Sequence, residues 1–457
     1  MTQPGCHAGP VVDVPEDPNR GVIRSAAESV RFVRSVCLRQ EERHTCATST
    51  FVDETGEPQP WHDFGVLEGP GWAANAIGGA HELYAFARFT DDASLADTAL
   101  SVLDHVLEGG FIDYDTGFIR GYRHIPSGRH VLNYQSDSDW FCPGSMAKAA
   151  HQLLEFSEAI HDPARAACMQ EAAALTAAWI LDNVRPAGND WWPRYCAPDG
   201  SWAKEDDAIF DCSGDGLFVL ALLADLARLG ASHHRELLAA KCELFVESGG
   251  FFGSINHDTY DRSECVAYAV AFRTLRRAAE VLGEQSLRQF AYEVALAGLA
   301  RFRLTEDRNG VDTKGLLYME DSWDTCYLWE NAEAAQAYFE AAVEQPHHRR
   351  EYSLAGLTIL RAIAQHHHGE LGFLTEGVDW NNHVGAEHHF GGAAYGDIRY
   401  TEPLLNNLHI VTPTLYYLHA LAERRVVGEH TELADCDGNV LVGPAAGGSE
   451  GAAAIGH

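Results

Sequence analysis

The chain has 457 residues, of which 46% are hydrophobic and 22% are charged, a composition typical of a globular protein with a large core. Its 66 acidic and 33 basic residues give a net charge of −33, which disfavours binding to nucleic acid or to anionic membranes, because both require clustered lysine and arginine. We see no run of about 18 uncharged apolar residues, so a membrane span is not expected.

The cysteines and the start of the chain indicate the compartment. Eleven cysteines are scattered along the sequence without a C-x-x-C pair, which favours free thiols in a reducing environment. The first twenty residues show no basic stretch followed by an apolar one, so a secretory signal is not expected. We therefore predict a cytoplasmic protein. Closely spaced Cys and His ligands for zinc are not evident, and we predict neither a metal nor another cofactor.

A pattern of paired helices recurs from residue 71 onward. Each unit begins with an aromatic and acidic loop, continues into a long apolar helix, and ends with a second amphipathic helix. Two helices of about 15–20 residues plus loops fill the spacing between successive units. The first helices are predicted to begin near Gly71-Trp72, Cys142-Pro143, Gly214-Asp215, Glu264, Asp324 and Glu402.

The sixth of these helices lacks a partner after it, because a Gly/Ala-rich tail follows. An amphipathic helix predicted from Val22 to Gln40 can supply that partner and close a ring. Pro413 lies inside the last long helix and is expected to kink or split it. The sequence therefore predicts an all-α fold, an (α/α)6 toroid of six helical hairpins over residues 21–427, with flexible segments at 1–20 and 428–457.

In such a toroid the loops before the inner helices lie at one end. These loops are rich in tryptophan and aspartate. Tryptophan rings stack on sugars, and aspartate carboxylates bind hydroxyls or transfer protons. Arginines in the same loops can bind a carboxylate in a bidentate pair. The alternative is that the aspartates cap helices and the tryptophans pack loops. The predicted sugar-binding residues are Trp72, Trp140, Trp192 and Arg194.

The most specific local pattern is Phe-Asp-Cys-Ser-Gly-Asp-Gly-Leu-Phe at residues 210–218, which places Asp211 and Asp215 four residues apart. This pattern resembles the Asp-Gly-Leu-Phe/Tyr helix start of the unsaturated glucuronyl and rhamnogalacturonyl hydrolases, which share the six-hairpin toroid. The resemblance implies that Asp215 is a general acid/base. It also implies a second aspartate before the preceding inner helix, where Asp139 is favoured over Asp137.

A second pattern covers residues 377–400, where Asn382-His383 is followed by Tyr395, Arg399 and Tyr400. A polysaccharide lyase uses these residue types, because an asparagine neutralises a uronate carboxylate and a histidine or tyrosine removes the α-proton. The Asn-Asn-His run also looks like a motif of the toroid lyases for alginate and heparin. An epimerase or isomerase acting on a uronic acid would use the same residues. The strongly acidic chain is a poor host for a long polyanion, which favours a smaller substrate.

Histidines near this segment offer a metal site as an alternative, but a polar loop with histidines on different faces is the favoured interpretation. The residues concerned are His366, His367, His368, His383, His388, His389 and Glu387.

Three functional hypotheses follow. The first is a glycoside hydrolase acting on a small glycan or glycoconjugate that contains uronic acid, with Asp215 as general acid/base, Asp139 assisting and Asp211 as a further candidate. The second is a lyase, epimerase or isomerase in glycan assembly, with His383 and Tyr395 as catalytic residues and Arg399 and Tyr400 binding substrate. The third is a glycan-binding protein without catalysis, because one fold hosts many functions.

Overall fold

A computed structural model describes residues 5–17, 21–59, 66–135, 138–230, 232–255 and 259–428. Within these ranges the chain is mostly helical, as predicted. We find no helix in this part of the chain that is both long and apolar enough to cross a bilayer.

The helices form antiparallel pairs that follow the predicted hairpins. Helix α1 (Val22–Phe32) precedes them. The pairs are α2 (Ala76–Thr90) with α3 (Ala93–Glu108), α4 (Pro143–Ala159) with α5 (Pro163–Asn183), and α6 (Gly216–Arg228) with α7 (Ser232–Glu247). In the fourth pair, α8 (Cys265–Leu282) packs on α9 (Gln285–Phe290), which continues through a π-helical turn (Ala291–Leu296) into α10 (Ala297–Leu299). The fifth pair is α11 (Leu328–Glu344) with α12 (Arg349–Gln365), and the last long helix is α13 (Val411–Ala422).

The first helix of each pair lies in an inner ring. In this ring α2, α4, α6, α8, α11 and α13 each contact the next, and α13 returns to α2. Inner helices are buried nearly all round, as in α6, whereas the outer α7 buries one stripe. This difference follows from position, because an inner helix has protein on every side. Each outer helix returns antiparallel, so all the inner helices begin at the same end of the ring, which we call the mouth.

Helix α1 closes the ring, as predicted. It packs against α12 and α13, and the Glu28 carboxylate lies 3.3 Å from Nε2 of His367. The prediction was wrong at the end of this helix. A π-helical turn (Val33–Cys37) follows Phe32, and β1 (Leu38–Glu41) then pairs with β2 (His44–Ala47). Glu42 has a φ of 43°, so the chain turns back through a left-handed residue there instead of extending the helix.

The last inner helix is split, as expected from Pro413. A π-helical turn (Pro403–Asn407) and a short non-helical stretch at 408–410 precede α13. Pro413 itself lies in the first turn of α13, where a missing backbone N–H removes no intrahelical hydrogen bond.

Short antiparallel strands are formed by the loops around the ring. In chain order they are β3 (Val52–Asp53), β4 (Leu67–Glu68), β5 (Tyr122–His124), β6 (Arg129–Val131), β7 (Cys326–Tyr327), β8 (His367–His368), β9 (Phe373–Leu374), β10 (Gly377–Asp379), β11 (Gly396–Asp397) and β12 (Tyr400–Thr401). They pair as β4-β5-β6, β7-β10-β11, β3-β12 and β8-β9. Three of these pairings, β4-β5-β6, β7-β10-β11 and β3-β12, join loops that precede different inner helices, whereas β8-β9 lies within one loop.

Residues 5–17 lie against the outer wall. Val12 is buried and its carbonyl accepts a hydrogen bond from Thr358 of α12 at 2.9 Å. The boundaries at 1–20, 21–427 and 428–457 stay a prediction from the sequence, and residues 429–457 lie outside the described part of the chain.

Candidate functional site

The starts of the inner helices bring buried polar residues together at the mouth. Asp215 occupies the N-cap of α6, Glu264 that of α8 and Cys142 that of α4. A Cβ atom on Gly144 would lie 2.6 Å from Cβ of Asp215. Glycine at 144 therefore allows α4 to approach Asp215 closely.

Asp215 is 2% exposed. The Ser213 hydroxyl lies 2.8 Å from its Oδ2 atom, and Oδ1 has no hydrogen-bond partner among the described residues. Burial raises the pKa of Asp215 to about 7, although the nearby Arg194 charge and the Ser213 hydrogen bond lower it. A carboxyl group in this state can take up and release a proton near neutral pH.

Arg194 is the cation nearest to this carboxyl. Its side chain is fully buried, with Nη1 3.5 Å from Asp207 and Nε 3.9 Å from Asp215. None of its three guanidinium nitrogens makes a hydrogen bond within the described ranges. A buried guanidinium without hydrogen bonds is uncommon in folded proteins, so it indicates a place for a ligand oxygen or ordered water.

Glu264 is a second buried carboxyl at the mouth, and the sequence analysis missed it. Its Oε2 accepts a hydrogen bond from the Ile255 amide at 2.6 Å, and Oε1 has no partner among the described residues. Burial, then the neighbouring Glu330 and Glu320, raises its pKa well above the usual value. The available signal was its position, since Glu264 and Asp215 both directly precede an inner helix.

Aromatic side chains from alternate hairpins meet on the ring axis. The Trp72 ring packs edge-on against Phe218 and Trp329, with centroids 5.4 Å apart in each case. The Lys148 ammonium lies 4.2 Å from the Trp72 ring centre and 3.0 Å from Oδ1 of Asn75. Burial lowers the pKa of Lys148 to about 8. These residues form what we call the floor of the mouth.

A histidine flanked by two carboxyl groups adjoins the floor. Nε2 of His409 lies 2.9 Å from Glu333, and Nδ1 lies 3.6 Å from Glu82. Its ring lies 6.2 Å from that of Trp329. Burial raises the pKa of Glu82 to about 7, so this carboxyl can also exchange a proton near neutral pH. Neither residue was predicted from the sequence. Glu82 lies at an ordinary helical position in α2, and His409 lies in the short non-helical stretch before α13, where no local motif marks it.

The other predicted residues of this region occupy different environments. Trp140 is buried against Tyr195, at a centroid distance of 4.8 Å, and the Lys204 ammonium lies 3.8 Å from its centre. Trp192 packs in the core against Trp191. Asp139 and Asp211 are exposed, so neither shares the buried position of Asp215. Asp137 lies outside the described residues.

Residues 377–400 are organised by a buried aspartate. Asp379 accepts hydrogen bonds from the Asn381 and Val384 amides and lies 3.0 Å from Nε2 of His389. Asp379 and His389 thus have a structural role in this loop, because they hold its backbone and side chains together.

The residues of the lyase hypothesis are spread along this loop. The ring of His383 lies 5.0 Å from Trp323, Tyr395 is 38% exposed, and Arg399 lies 3.5 Å from Glu54. Tyr400 is buried against Phe51. His383, Arg399 and Tyr400 thus each contact residues outside the predicted set.

One group of side chains has ligand atoms close enough to hold a metal within the described ranges. Ligand atoms of Glu41, Cys46, Glu68 and His105 lie within 4.8 Å of one another. Both carboxylates are already paired with arginines, since Arg39 lies 2.9 Å from each. Within the described ranges, the histidines between residues 366 and 389 do not form such a metal-binding group with Glu387.

Comparison with known proteins supports the fold. No family model matches the sequence, and no curated protein matches it. Among solved structures, the chain is similar to cellobiose 2-epimerase from Bacillus thermoamylovorans B4167, with a TM-score of 0.58 and 12% identity over 86% of this chain and 98% of that one. It is similar to a D-mannose isomerase, with a TM-score of 0.56 and 11% identity over 87% of this chain and 97% of that one.

A third similar structure is a possible member of the GH105 family from Salmonella enterica serovar Paratyphi A, with a TM-score of 0.51 and 14% identity over 92% of this chain and all of that one. At these identities the likeness is one of fold. The chain has the (α/α)6 toroid fold, as predicted, and shares it with these solved structures.

Proposed function

We propose that the protein is a carbohydrate-active enzyme that cleaves a glycosidic bond at the mouth of the toroid, with Asp215 as general acid/base. The observation that carries the proposal is a buried carboxyl with a pKa of about 7 and one oxygen without a hydrogen-bond partner in the described part. A general acid/base is most effective when its pKa lies near the working pH.

The chemistry requires a proton donor and a proton acceptor. A protonated carboxyl gives its proton to the glycosidic oxygen as the bond to the anomeric carbon breaks. Water then adds to that carbon and gives a proton to a carboxylate. Asp215 fits both steps because its proton is exchangeable near neutral pH. Burial raises the pKa of Glu264 well above its usual value, which favours the protonated form that can donate a hydrogen bond to a sugar oxygen.

Two further features support a sugar at this position. The unbonded nitrogens of Arg194 need acceptor oxygens, which sugar hydroxyls and carboxylates provide. Tyr260 is 57% exposed, and its ring centre lies 5.9 Å from the Arg194 guanidinium carbon. An exposed aromatic face beside the acid/base can stack on a pyranose ring. Uronic acid as a component of the substrate stays a prediction from the sequence.

A second candidate is a sugar epimerase or isomerase, and His409 supports it. A histidine between Glu82 and Glu333 can move a proton between neighbouring carbons of an open-chain sugar. The similar solved structures named as an epimerase and an isomerase fit this alternative.

The test is a panel of neutral, saturated uronic and unsaturated uronic oligosaccharides incubated with the protein and its variants. Product masses and ultraviolet absorbance report cleavage, and uptake of deuterium from solvent reports epimerisation or isomerisation. We expect Asp215→Asn to reduce cleavage by on the order of a hundredfold or more. Asp182→Asn, an exposed change of equal charge on α5, is the matched control and should be unaffected.

The outcomes separate the hypotheses. Cleavage that survives Asp215→Asn contradicts the assignment of the acid/base. Deuterium uptake that disappears in His409→Asn, without cleavage, would favour the second candidate. Sugar binding without any change of product would favour the non-catalytic hypothesis.

A further inference from the structure

Asp207 is a carboxylate held in place beside the proposed acid/base site. Its Oδ1 accepts a hydrogen bond from the Ile209 amide at 2.9 Å, which belongs to the turn at 204–210. Its Oδ2 lies 3.5 Å from Nη1 of Arg194. The turn therefore fixes one oxygen of Asp207 and directs the other at the guanidinium.

Arg194 is placed between this carboxylate and Asp215. The closest approach to Asp215 is 3.9 Å, from Nε to Oδ2, which is longer than the approach to Asp207. The guanidinium makes no hydrogen bond to either one, although an arginine and a carboxylate readily form two parallel hydrogen bonds. The backbone amide of Arg194 is bonded to the Phe210 carbonyl, which limits how far the side chain can shift.

We propose that Asp207 is a positioning residue for the acid/base: it draws the Arg194 guanidinium towards itself and so prevents a close ion pair between Arg194 and Asp215. The inference rests on the proposed role of Asp215. An unshared cation within about 4–6 Å lowers a carboxyl pKa by about 1–3 units. A close pair with Arg194 would therefore leave Asp215 ionised at neutral pH and unable to donate a proton.

Three other titratable groups around the pair favour their neutral forms. Burial raises the pKa of the Cys142 thiol and of the Tyr195 phenol, so both stay neutral at pH values near 7. Burial likewise raises the pKa of Glu264 well above its usual value and favours its neutral form. Lys204 is exposed and lies over Trp140, on the Asp207 side of the site. Asp207 is thus the second carboxyl group, besides Asp215, that lies against the Arg194 guanidinium.

The test compares pH–rate profiles of the full-length protein and three variants. In Asp207→Asn the Oδ1 acceptor for the Ile209 amide is kept while the charge is lost. One limb of the pH–rate profile has its midpoint at the pKa of Asp215. We expect this midpoint to fall by about one pH unit, because Arg194 then pairs with Asp215 alone. In Arg194→Gln the same limb should move up. Asp206→Asn, the exposed neighbour, changes net charge equally and should leave the limb in place.

A shift of equal size in Asp207→Asn and Asp206→Asn would overturn the proposal, as would a lower rate in Asp207→Asn at every pH without a shift. If Arg194→Gln does not fold, the comparison of Asp207→Asn with Asp206→Asn still tests the proposal. A second measurement does not depend on turnover. Proton uptake is titrated for the protein and for Asp215→Asn, and the difference between the two curves reports the pKa of Asp215. The same difference is then measured with Asp207→Asn present in both proteins. If Asp215→Asn keeps its activity, the proposed function fails, while this difference titration still tests the effect of Asp207.

Discussion

Ser213 Oγ lies 2.8 Å from Oδ2 of Asp215. The same hydroxyl lies 2.8 Å from the Ser254 carbonyl oxygen, and it has one proton to donate. When Asp215 is ionised, Ser213 donates to the carboxylate. When Asp215 is protonated, the carboxyl donates to Ser213 Oγ, and Ser213 donates to Ser254. The hydroxyl can therefore satisfy both protonation states of the proposed acid/base.

This relationship predicts the effect of Ser213→Ala. Loss of a donor to the charged form raises a carboxyl pKa, and a hydrogen bond to a charged group contributes about 1.5–3 kcal/mol, or about one pKa unit or more. We expect the limb of the pH–rate profile that reports Asp215 to move up by about one unit. Ser201→Ala, which removes a hydroxyl bonded to the exposed Asp199, is the control. An unmoved limb in Ser213→Ala would contradict this role.

Asp215 should also make the folded protein less stable at neutral pH. Its pKa is raised from 3.8 to about 7, so the folded state binds its proton more tightly than the unfolded state does. The free energy of unfolding that this group contributes is therefore lost as pH rises from about 4 to 7. The rise in its pKa corresponds to a loss of at most about 4 kcal/mol.

The matching prediction is that Asp215→Asn cleaves on the order of a hundredfold less and yet is more stable than the wild type at neutral pH, by up to about 4 kcal/mol. The two proteins should converge below about pH 4, where Asp215 is protonated in both states. Urea unfolding at several pH values measures this difference. Equal stabilities at neutral pH would show that the carboxyl is not held in an unfavourable environment.

The ion pairs of Asp225 lie inside the ring and should be important for stability. Asp225 is nearly fully buried, lies 2.7 Å from Nδ1 of His151, and accepts from Arg277 at 3.0 Å. Removing one partner of a buried pair leaves an uncompensated charge, so we expect Asp225→Ala to cost about 3–5 kcal/mol of unfolding free energy. The control is Glu158→Ala, which breaks a surface pair with Arg228 and should cost about 1 kcal/mol or less. Similar losses in both variants would contradict the prediction.

His366 should contribute stability that is lost as pH rises. Its ring nitrogens lie 2.7 Å from the Asp397 carboxylate and 2.7 Å from the Asp312 carbonyl. Burial lowers its pKa most, but the charge of Asp397, the hydrogen bond to it and the contacts with Asp312 together outweigh burial and raise the pKa above 6.5. The contribution is therefore fully present below the unfolded pKa of about 6.5 and disappears as pH rises through the folded pKa.

Asp397→Asn tests this sign. We expect the variant to be less stable than the wild type at about pH 5.5 and the difference to shrink at about pH 8.5. Thermal unfolding at the two values measures it, with the exposed Glu370→Gln as a charge-matched control. A difference that grows with pH would be the wrong sign and would contradict the assignment.

The fold could be predicted from the sequence because the hairpins repeat. The unpaired helix near Glu402 and the amphipathic segment from Val22 made closure of the ring predictable, and α1 packs against α13. The strand at Leu38–Glu41 was missed because apolar residues at helical spacing continue towards it. Its strand structure depends on pairing with His44–Ala47, and pairing of this kind is a context effect that local pattern does not contain.

The candidate site was less predictable. Asp215 could be proposed from the sequence because Gly-Leu-Phe follows it at a helix start, and its role stays a prediction. Glu264 and His409 have no comparable local motif, and their properties come from burial among residues far away in the chain, such as Glu330 and Glu82. Asp139 was chosen by its position before the second inner helix, but Cys142 occupies the N-cap of that helix and Asp139 is exposed.

The central claim is that Asp215 is the acid/base of a glycoside cleavage at the mouth. The most direct measurement is incubation with an oligosaccharide panel in water labelled with heavy oxygen, for the wild type, Asp215→Asn and Asp182→Asn. For the wild type and Asp182→Asn we expect one labelled oxygen in the product that carries the new anomeric hydroxyl and none in the leaving product, because water adds to the anomeric carbon. We expect on the order of a hundredfold less product from Asp215→Asn. Equal labelled product from Asp215→Asn, or turnover by the wild type without incorporation of label, would contradict it.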